Sequence, residues 1–408
     1  MKLFLLGLNF FFFISAFAQT ADTAFFGMHN GEFLNQDQKI IFPAMRLWDI
    51  GLCWNQLEPQ EGKWDFERFD KIVATAQLKH IELVYVLGQT PTWASLKPED
   101  TTGVYGRGAN YPPKSITLWE NYLKTVGNRY KGKIKYYEIW NEPNFPIFFN
   151  GQVADMSALT ISAARILKSI DSDIKIISPG IVAGTFDWLP AEKNGTLWMN
   201  AYLKITPQQY FDIAGAHFYT PEKASPEKEL IPLIRNFRKL LNENGIVKPI
   251  WNTEQGYGAM EAARRKSYTG DTATGIAVRT LLINRMEGVE RMFWYDWSNR
   301  SFCSLHLVAE DGITPTEAAK ALAFTHQWLK GKTLIGSETA QDALFLLRFK
   351  DSSDKQFGVV WSTADFKLSG EFIFNLKELV SAGGEKIDLN DTEVKASIVP
   401  LFFEYKSP

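Results

Sequence analysis

The sequence predicts an α/β protein, with a (β/α)8 TIM barrel followed by a small C-terminal antiparallel β-sandwich domain. The first observation behind this prediction is that short apolar runs alternate with longer amphipathic segments up to Lys330, a pattern typical of βα units in a parallel sheet. The second is that strand-length runs separated by polar turns follow that point. We therefore expect a signal peptide at 1–18, a barrel at 19–335 and a β domain at 336–408.

The barrel prediction depends on eight strand-like runs and on the helical patterns between them. The runs are Phe25 to His29, Met45 to Gly51, Ile81 to Gly88, Ile134 to Glu142, Ile174 to Ile181, Ile213 to Tyr219, Pro249 to Glu254 and Arg291 to Trp297. The helical patterns include Asp65 to Leu78, Ile116 to Tyr130, Met156 to Ile170, Glu227 to Asn244, Thr272 to Glu287 and Pro315 to Leu329. Eight such strands over about 300 residues match a TIM barrel with loop insertions. An open doubly wound sheet is the alternative, but it more often has fewer strands and a glycine-rich first turn.

The C-terminal part reads as strands without helices. The runs LFLLRFK, QFGVVWS, FIFNL and SIVPLFFEYK are separated by polar turns such as DSSD and AGGE. This spacing predicts an antiparallel domain packed on the barrel.

The N-terminus, MKLFLLGLNFFFFISAFA, predicts a secretory signal peptide. It has one Lys, a long apolar core and a small-x-small cleavage site at Ala16-Phe17-Ala18. A membrane anchor is the alternative, but the apolar run is shorter than the roughly 18 to 20 residues that span a bilayer. We expect the mature chain to be exported to the periplasm or outside the cell, without membrane insertion.

Composition limits the partners and the chemistry. The net charge is −2, whereas a nucleic-acid or anionic membrane partner calls for a basic excess. No Cys/His cluster has the spacing of a zinc site, so we expect neither a metal nor a cofactor. Cys53 and Cys303 are the two cysteines, and a disulfide between them is open but not favoured. The chemistry must therefore come from carboxylates.

Two glutamates end predicted strands. Glu142 follows the apolar run KYYEIW and precedes Pro143, and Glu254 ends the run PIWNTE three βα units later. Reactive groups of a TIM barrel lie where the strands end at the C-terminal face, so both carboxylates should face one cavity. Paired carboxylates are the minimum set for glycoside hydrolysis. A structural salt bridge is the alternative for Glu142, because an unpaired buried glutamate is costly.

Other polar and aromatic side chains end the remaining strands. They include His29, Arg46, Trp48, His217, Tyr219 and Trp294. We expect these residues to form polar clamps and stacking surfaces for an oligosaccharide, polysaccharide or simpler glycoside substrate. Trp294 is expected to stack under the sugar ring, whereas His217 has the alternative of a core histidine bonded to a backbone carbonyl.

Asn141-Glu142-Pro143 and Glu254 at these strand ends resemble the retaining glycoside hydrolases of clan A. The segments RLWDIGLCWNQLEPQEGKWDFERFD and LGQTPTWAS, with His217-Phe218-Tyr219 and the added β domain, are most similar to family 39, which includes β-xylosidases and α-L-iduronidases. The resemblance covers the whole barrel. It implies that Glu142 is the acid/base and that Glu254 is the nucleophile.

The resemblance also implies roles for the neighbours of these glutamates. Asn141 would bind the sugar 2-hydroxyl. Arg46 resembles the clan's arginine that bonds the nucleophile and would keep Glu254 ionised, although an unrelated barrel salt bridge is the alternative. Tyr219 could donate a hydrogen bond to Glu254.

The sequence therefore predicts an exported retaining glycosidase that works through a covalent glycosyl-enzyme intermediate. The carboxyl groups of Glu142 and Glu254 should then lie about 5 to 5.5 Å apart. A catalytically silent carbohydrate-binding barrel and a transglycosylase of the same fold are the alternatives. A basic run, Arg264-Arg265-Lys266, could receive an acidic sugar but is more typical of a solvated surface.

Overall fold

A computed structural model gives the structure of the protein. It describes residues 11–13, 24–29, 40, 42–184, 190–220, 225–258, 268–298, 303–364, 366–390 and 394–406. The predicted signal peptide lies outside the described residues, apart from the backbone of the short strand β1, Phe11–Phe13. None of the described helices is both long and apolar enough to cross a membrane.

The barrel prediction is confirmed. Its parallel strands are β2 Phe26–His29, β3 Ala44–Leu47, β4 Glu82–Leu87, β5 Tyr136–Ile139, β6 Lys175–Ile177, β7 Ile181–Val182, β8 Ala214–His217, β9 Ile250–Gln255 and β10 Arg291–Trp294. They pair in the order β6-β5-β4-β3-β2-β10-β9-β8-β7. A parallel bridge between Ile177 and Ile213 joins β6 to the start of β8 and closes the sheet.

The fifth predicted strand is divided into β6 and β7. The interruption is Ser178-Pro179-Gly180, and proline has no N–H to donate to a sheet ladder. β6 pairs with β5, whereas β7 pairs with β8. Gly180 therefore lies inside the barrel, between the two halves of the strand.

Helices follow most strands and cover the outside of the barrel. They are Trp54–Leu57, Glu67–Leu78, Ile116–Arg129, Val153–Ile170, Gly195–Ile205, Pro226–Glu243, Gly270–Met286 and Glu317–Leu329, with short 3-10 turns at Ala191–Lys193 and Gln208–Tyr210. The six predicted helices are confirmed to within a few residues at their ends. The helix Gly195–Ile205 was not predicted, although Trp198, Met199 and Tyr202 give it a buried stripe at the i, i+1, i+4 spacing of a helix.

Side chains inside the barrel form layers. The layer near the N-terminal ends of the strands is apolar and consists of Ala24, Ala44, Val84, Tyr136, Ile177, Ile213, Trp251 and Phe293. Arg46 lies two residues after Ala44 and Glu138 lies two residues after Tyr136, so both point inward from the next layer. The candidate site therefore stands on a closed apolar floor with a charged layer above it.

The C-terminal domain contains a six-stranded antiparallel sheet. Its strands are β11 Thr333–Ala340, β12 Leu344–Lys350, β13 Gln356–Ser362, β15 Leu376–Ser381 and β17 Leu401–Tyr405, with β1 paired to the edge of β11. The two-stranded ladder of β14 Phe366–Lys367 and β16 Lys395–Ala396 and the helix Gly370–Phe374 share one apolar core with this sheet. Leu344 and Leu346 face that core, whereas Phe345, Leu347 and Phe349 belong to the core shared with the barrel.

Most of the run FIFNL is helical, contrary to the prediction of a domain without helices, and only its last residue, Leu376, belongs to a strand. It lies in and just after the helix Gly370–Phe374, whose N-cap residue Ser369 accepts a hydrogen bond from the backbone N–H of Phe372 at 3.1 Å. Phe372 and Ile373 are buried, but Phe374 is 74% exposed. Adjacent buried residues followed by an exposed one fit a single helical turn and do not fit strand alternation.

A buried ion pair of the barrel is hydrogen-bonded to the β domain. Glu227 accepts from Nη1 of Arg279 at 2.9 Å, both within the barrel's helices, and also from the indole N–H of Trp361 in β13 at 2.7 Å. The Trp328 ring packs edge-on against Phe349 and Phe402 of the β domain. The β domain is therefore anchored to the helices on the outside of the barrel.

Candidate active site

Glu142 reaches the mouth of the barrel through a backbone turn after β5. Trp140 and Glu142 have positive φ angles of 63° and 44°, which break the strand alternation. The Trp140 ring lies against Gly88, where an added Cβ would stand 2.8 Å from the ring, so a glycine is required there. The N–H of Glu142 donates to the carbonyl of Gly180 at 2.8 Å, which secures the turn.

Glu254 is turned inward by a β-bulge. Along β9, Ala216 pairs with Asn252 but the next residue, His217, pairs with Glu254, so β9 carries one extra residue. Asn252 bonds Asn284 of an outer helix at 2.9 Å. The bulge lets Thr253 and Glu254 both face the barrel interior, which a regular strand would not allow.

The two glutamates and His217 meet at one point. One carboxylate oxygen of each glutamate and a ring nitrogen of His217 all lie within 4.8 Å of one another. Nδ1 of His217 is 2.8 Å from Oε1 of Glu142 and 3.9 Å from Oε1 of Glu254. The sequence placed these two strand ends in one cavity. Their carboxyl groups are indeed close enough to contact the same small group of atoms.

Arg46 connects the charged layer to the two strand ends. Its Nη1 donates to Oε2 of Glu254 at 2.8 Å, which is the contact that the resemblance implies. Its Nη2 donates to Oδ1 of Asn141 at 2.9 Å, and its Nε donates to Oε2 of Glu138 at 2.5 Å. The guanidinium is fully buried, so these bonds hold Asn141 and Glu254 in fixed orientations.

Glu138 was missed by the sequence reasoning. It is fully buried, and its Oε1 accepts from the hydroxyl of Thr253 at 2.7 Å and lies 4.0 Å from Nε2 of His217. A charged residue inside the apolar run YYEIW was a usable signal, because a buried glutamate needs a partner. The sequence assigns a role only to Glu142, which follows that run.

Tyr219 and His29 also bond the Glu254 region. The Tyr219 hydroxyl donates to Oε1 of Glu254 at 2.9 Å. Nε2 of His29 is 3.0 Å from the carbonyl oxygen of Thr253 and 3.9 Å from Oε2 of Glu254. His29 is thus a buried histidine bonded to a backbone carbonyl beside the carboxylate, whereas His217 bonds a carboxyl group.

Burial controls the ionisation of the site. It raises the pKa of Glu142 well above its usual value, and the charge of Glu254 raises it further. Burial also raises the pKa of Glu254, but Arg46 opposes the shift there through a direct contact. Burial and then the charge of Arg46 lower the pKa of His29 and of His217 well below the usual value, so both rings are neutral. The protonated form is therefore favoured more strongly at Glu142 than at Glu254.

Trp294 does not face the mouth, contrary to the prediction. It is fully buried in the core between the sheet and the helices, whereas its neighbour Phe293 belongs to the barrel floor. Consecutive strand residues point to opposite faces, so Trp294 faces outward. The next residue, Tyr295, is on the side of the mouth instead, where its ring packs against His29 at 5.2 Å between centroids.

Trp48 lies near the mouth but is buried by other aromatic rings. It packs edge-on against Tyr105 at 5.0 Å and Phe148 at 6.5 Å between centroids, and only 3% of it is exposed. In this structure it supports the wall of the mouth and offers no open stacking face. The next residue, Asp49, is exposed at the mouth and was also missed.

The contacts favour a carboxylate pair over a metal centre. Glu142, His217 and Glu254 have a spacing that could hold a cation. However, Tyr219 and Arg46 donate to the two oxygens of Glu254, and the buried charge of Arg46 opposes a second cation there.

Cys53 and Cys303 are buried and are not joined in a disulfide, so the structure does not contain the bridge that the sequence left open. The basic run 264–266 lies outside the described residues.

Comparisons with known proteins show similarity to glycosyl hydrolases. The family model described as the glycosyl hydrolase catalytic core matches residues 112–322, and the glycosyl hydrolase family 10 model matches 51–148. A β-xylosidase of Geobacillus stearothermophilus is 25% identical over 199 residues, which cover 44% of this chain and 38% of that protein. Endo-1,4-β-xylanase A of Halalkalibacterium halodurans is 35% identical over 100 residues, which cover 21% of this chain and 24% of the xylanase. The matches thus span well under half the length of these curated relatives.

Among solved structures, a family 39 glycoside hydrolase from Bacteroides cellulosilyticus WH2 superposes with a TM-score of 0.71 at 18% identity. The match covers 94% of this chain and 81% of that one, and it confirms the barrel fold with its added β domain. The catalytic-core match includes Glu142 and Glu254. Since that match spans more than half of the sequence, the chain belongs to the glycosyl hydrolase catalytic-core family.

Proposed function

We propose that the protein hydrolyses O-glycosidic bonds with retention of configuration, through a covalent glycosyl-enzyme intermediate. The observation that carries this proposal is the 4.8 Å limit on the distance between the nearest suitable oxygens of Glu142 and Glu254. Retaining enzymes hold their carboxyl groups about 5 to 5.5 Å apart, whereas inverting enzymes need about 6.5 to 9.5 Å to admit a water.

Glu254 is the nucleophile in this proposal. Its two oxygens accept from Arg46 and Tyr219, and both bonds favour the ionised carboxylate. It attacks the anomeric carbon as the bond to the leaving oxygen breaks, which forms a glycosyl ester. Asn141, whose Oδ1 is bonded to Arg46, keeps its amide nitrogen to donate to the sugar 2-hydroxyl.

Glu142 is the acid and then the base. Its raised pKa keeps a proton available for the leaving oxygen. In the second step it takes a proton from the water that attacks the anomeric carbon and releases Glu254. His217 is suited to both states, because a neutral imidazole accepts from a carboxylic acid in one tautomer and donates to a carboxylate in the other.

The first substrates to test are xylosides, because the similar curated proteins are named as a β-xylosidase and an endo-1,4-β-xylanase. Hydrolysis of aryl glycosides followed by NMR would give the anomer formed first. We expect it to have the configuration of the substrate. An inverted first product would contradict the double-displacement mechanism.

The two glutamates are separated by azide rescue. We expect Glu254→Ala to lose turnover of every substrate. Glu142→Ala should still form the intermediate from an activated aryl glycoside and then stall without a base, and azide should rescue it to a glycosyl azide of retained configuration. A glycosyl azide of inverted configuration from Glu142→Ala would mean that Glu142 is the nucleophile and Glu254 the acid/base.

The same assays address the alternatives. A silent carbohydrate-binding barrel would bind sugars without turnover in the wild type. A transglycosylase would give mainly longer glycosides when an acceptor sugar is added.

We also propose that the chain is exported through the signal peptide at 1–18. Mass spectrometry of the protein recovered from the periplasm or medium should give an N-terminus at Gln19. Recovery of the uncleaved chain from the cytoplasm would contradict export.

A further inference from the structure

Asp49 is a third carboxylate at the mouth of the barrel. It follows β3 with a positive φ of 57°, and its side chain lies outside the buried layers. Its Oδ2 accepts from the Tyr295 hydroxyl at 2.8 Å, and its Oδ1 accepts from the Tyr105 hydroxyl. Burial and then the charge of Asp49 raise the pKa of both phenols, so both remain donors and hold the carboxylate in place.

Asp49 belongs to the same part of the wall as His29, whose Nε2 lies 3.9 Å from Oε2 of Glu254. β3 is next to β2, and β2 is next to β10, so Asp49, His29 and Tyr295 come from three consecutive strands. A sugar with its anomeric carbon between Glu142 and Glu254 lies inside this ring of strands. Tyr295 donates to Asp49 and packs against His29, so a sugar held beside Glu254 lies next to the part of the wall that carries Asp49.

The described part of the site has an excess of negative charge. Asp49 raises the pKa of both Glu142 and Glu254, so its field reaches the reaction centre. Arg46 is the cation that the described residues place among these carboxylates, and its three nitrogens are bonded to Glu138, Glu254 and Asn141. The charge of that guanidinium is therefore already paired with two carboxylates of the protein.

We propose that Asp49 restricts the glycone to a neutral sugar. Its carboxylate accepts hydrogen bonds from ring hydroxyls and repels the carboxylate of a uronic acid. The inference rests on the proposed glycosidase function and narrows its substrate class to neutral glycosides. The sequence left two classes of substrate open, namely neutral glycosides such as pentosides and hexosides, and uronides. The inference selects the neutral class.

The test compares 4-nitrophenyl glycosides of neutral sugars with the matching uronides, at low ionic strength. We expect kcat/KM of the wild type to favour the best neutral glycoside by at least 100-fold. Asp49→Asn should reduce this ratio at least tenfold, and added salt should reduce it in the wild type by screening. Tyr105→Phe retains the charge of Asp49 but removes one hydrogen bond, so its ratio should stay near that of the wild type. Asp388→Asn, which removes an exposed charge in the β domain, controls for net charge.

An unchanged ratio in Asp49→Asn would overturn the inference. A wild-type preference for a uronide would also overturn it, and the basic run 264–266 would then be the part of the sequence to mutate. If no glycoside is hydrolysed, the proposed function has failed, and binding decides the inference separately. NMR titration with D-xylose, D-glucose and D-glucuronate should show neutral sugars bound at least tenfold more tightly by the wild type and less selectively by Asp49→Asn. Equal or absent binding of the neutral sugars would end the idea.

Discussion

Replacing Glu138 by glutamine should move the pH profile of the enzyme to lower pH. Glu138 is connected to Glu254 through Arg46, whose Nε and Nη1 lie 2.5 and 2.8 Å from the two carboxylates. The charge of Glu138 contributes to raising the pKa of both Glu142 and Glu254. Without this negative charge, the attraction between Arg46 and Glu254 is less offset by repulsion. The pKa values of Glu142 and Glu254 should therefore both fall.

The expected shift follows from the separation of the charges. Two carboxylates roughly 6 Å apart in an effective dielectric constant of about 20 repel each other by roughly 3 kcal/mol. One pKa unit corresponds to about 1.4 kcal/mol, and relaxation around the neutral glutamine removes part of the effect. We therefore expect the acid limb of kcat/KM, which reports the ionisation of Glu254, to move down by about 1 to 2 units.

The assay is kcat/KM against pH with an aryl glycoside, for the wild type, Glu138→Gln and a control. Glu227→Gln is the matched control, because Glu227 is also buried and paired with an arginine, but its partners are Arg279 and Trp361 instead of Arg46. Breaking either buried pair should cost about 3 to 5 kcal/mol of unfolding free energy, so both should melt earlier by circular dichroism. Only Glu138→Gln should move the pH limbs. An acid limb that stays in place or moves up in Glu138→Gln would refute the reasoning.

Three further substitutions test single contacts. Tyr219→Phe removes a hydrogen bond that lowers the pKa of Glu254. The acid limb of the variant's pH profile should therefore move to higher pH, and kcat should fall about tenfold or more. An acid limb that does not move would contradict this role of the hydrogen bond. Gly180→Ala places a Cβ 2.3 Å from Oε1 of Glu138 and 2.7 Å from Nε2 of His217. The variant should therefore lose activity and about 1 to 3 kcal/mol of unfolding free energy. Wild-type kinetics would show that Glu138 and His217 can move to accommodate the methyl group without loss of function. Trp294→Phe should lower the melting temperature and leave KM near the wild-type value, whereas a large rise in KM with unchanged melting would restore its predicted place in the subsite.

Much of the architecture could be predicted because it is encoded locally. Strand composition, helical periodicity and the proline after Asn141-Glu142 are properties of neighbouring residues, and they identified the eight strand positions and the two glutamates at strand ends. The barrel order then follows from the chain order, since each βα unit places its strand beside the one before. The contact of Arg46 with Glu254 came from the resemblance to clan A.

The errors and omissions concern which way a side chain points. Trp294 was assigned to the mouth because it ends a strand, but its phase in β10 points it to the helices. Glu254 would have the same outward phase in a regular strand, and only the bulge in β9 turns it inward. A bulge of one residue leaves no reliable mark in the composition of a strand, so the sequence could not distinguish these two cases.

The sequence by itself determined the fold class, the domain order and the pair of glutamates, because period and position along the chain specify the ends of strands. The tertiary structure decided which groups surround that pair. Glu138 and Asp49 act on Glu142 and Glu254 from other strands. Their influence depends on distance, burial and the sharing of Arg46, and these quantities exist only once the barrel has closed.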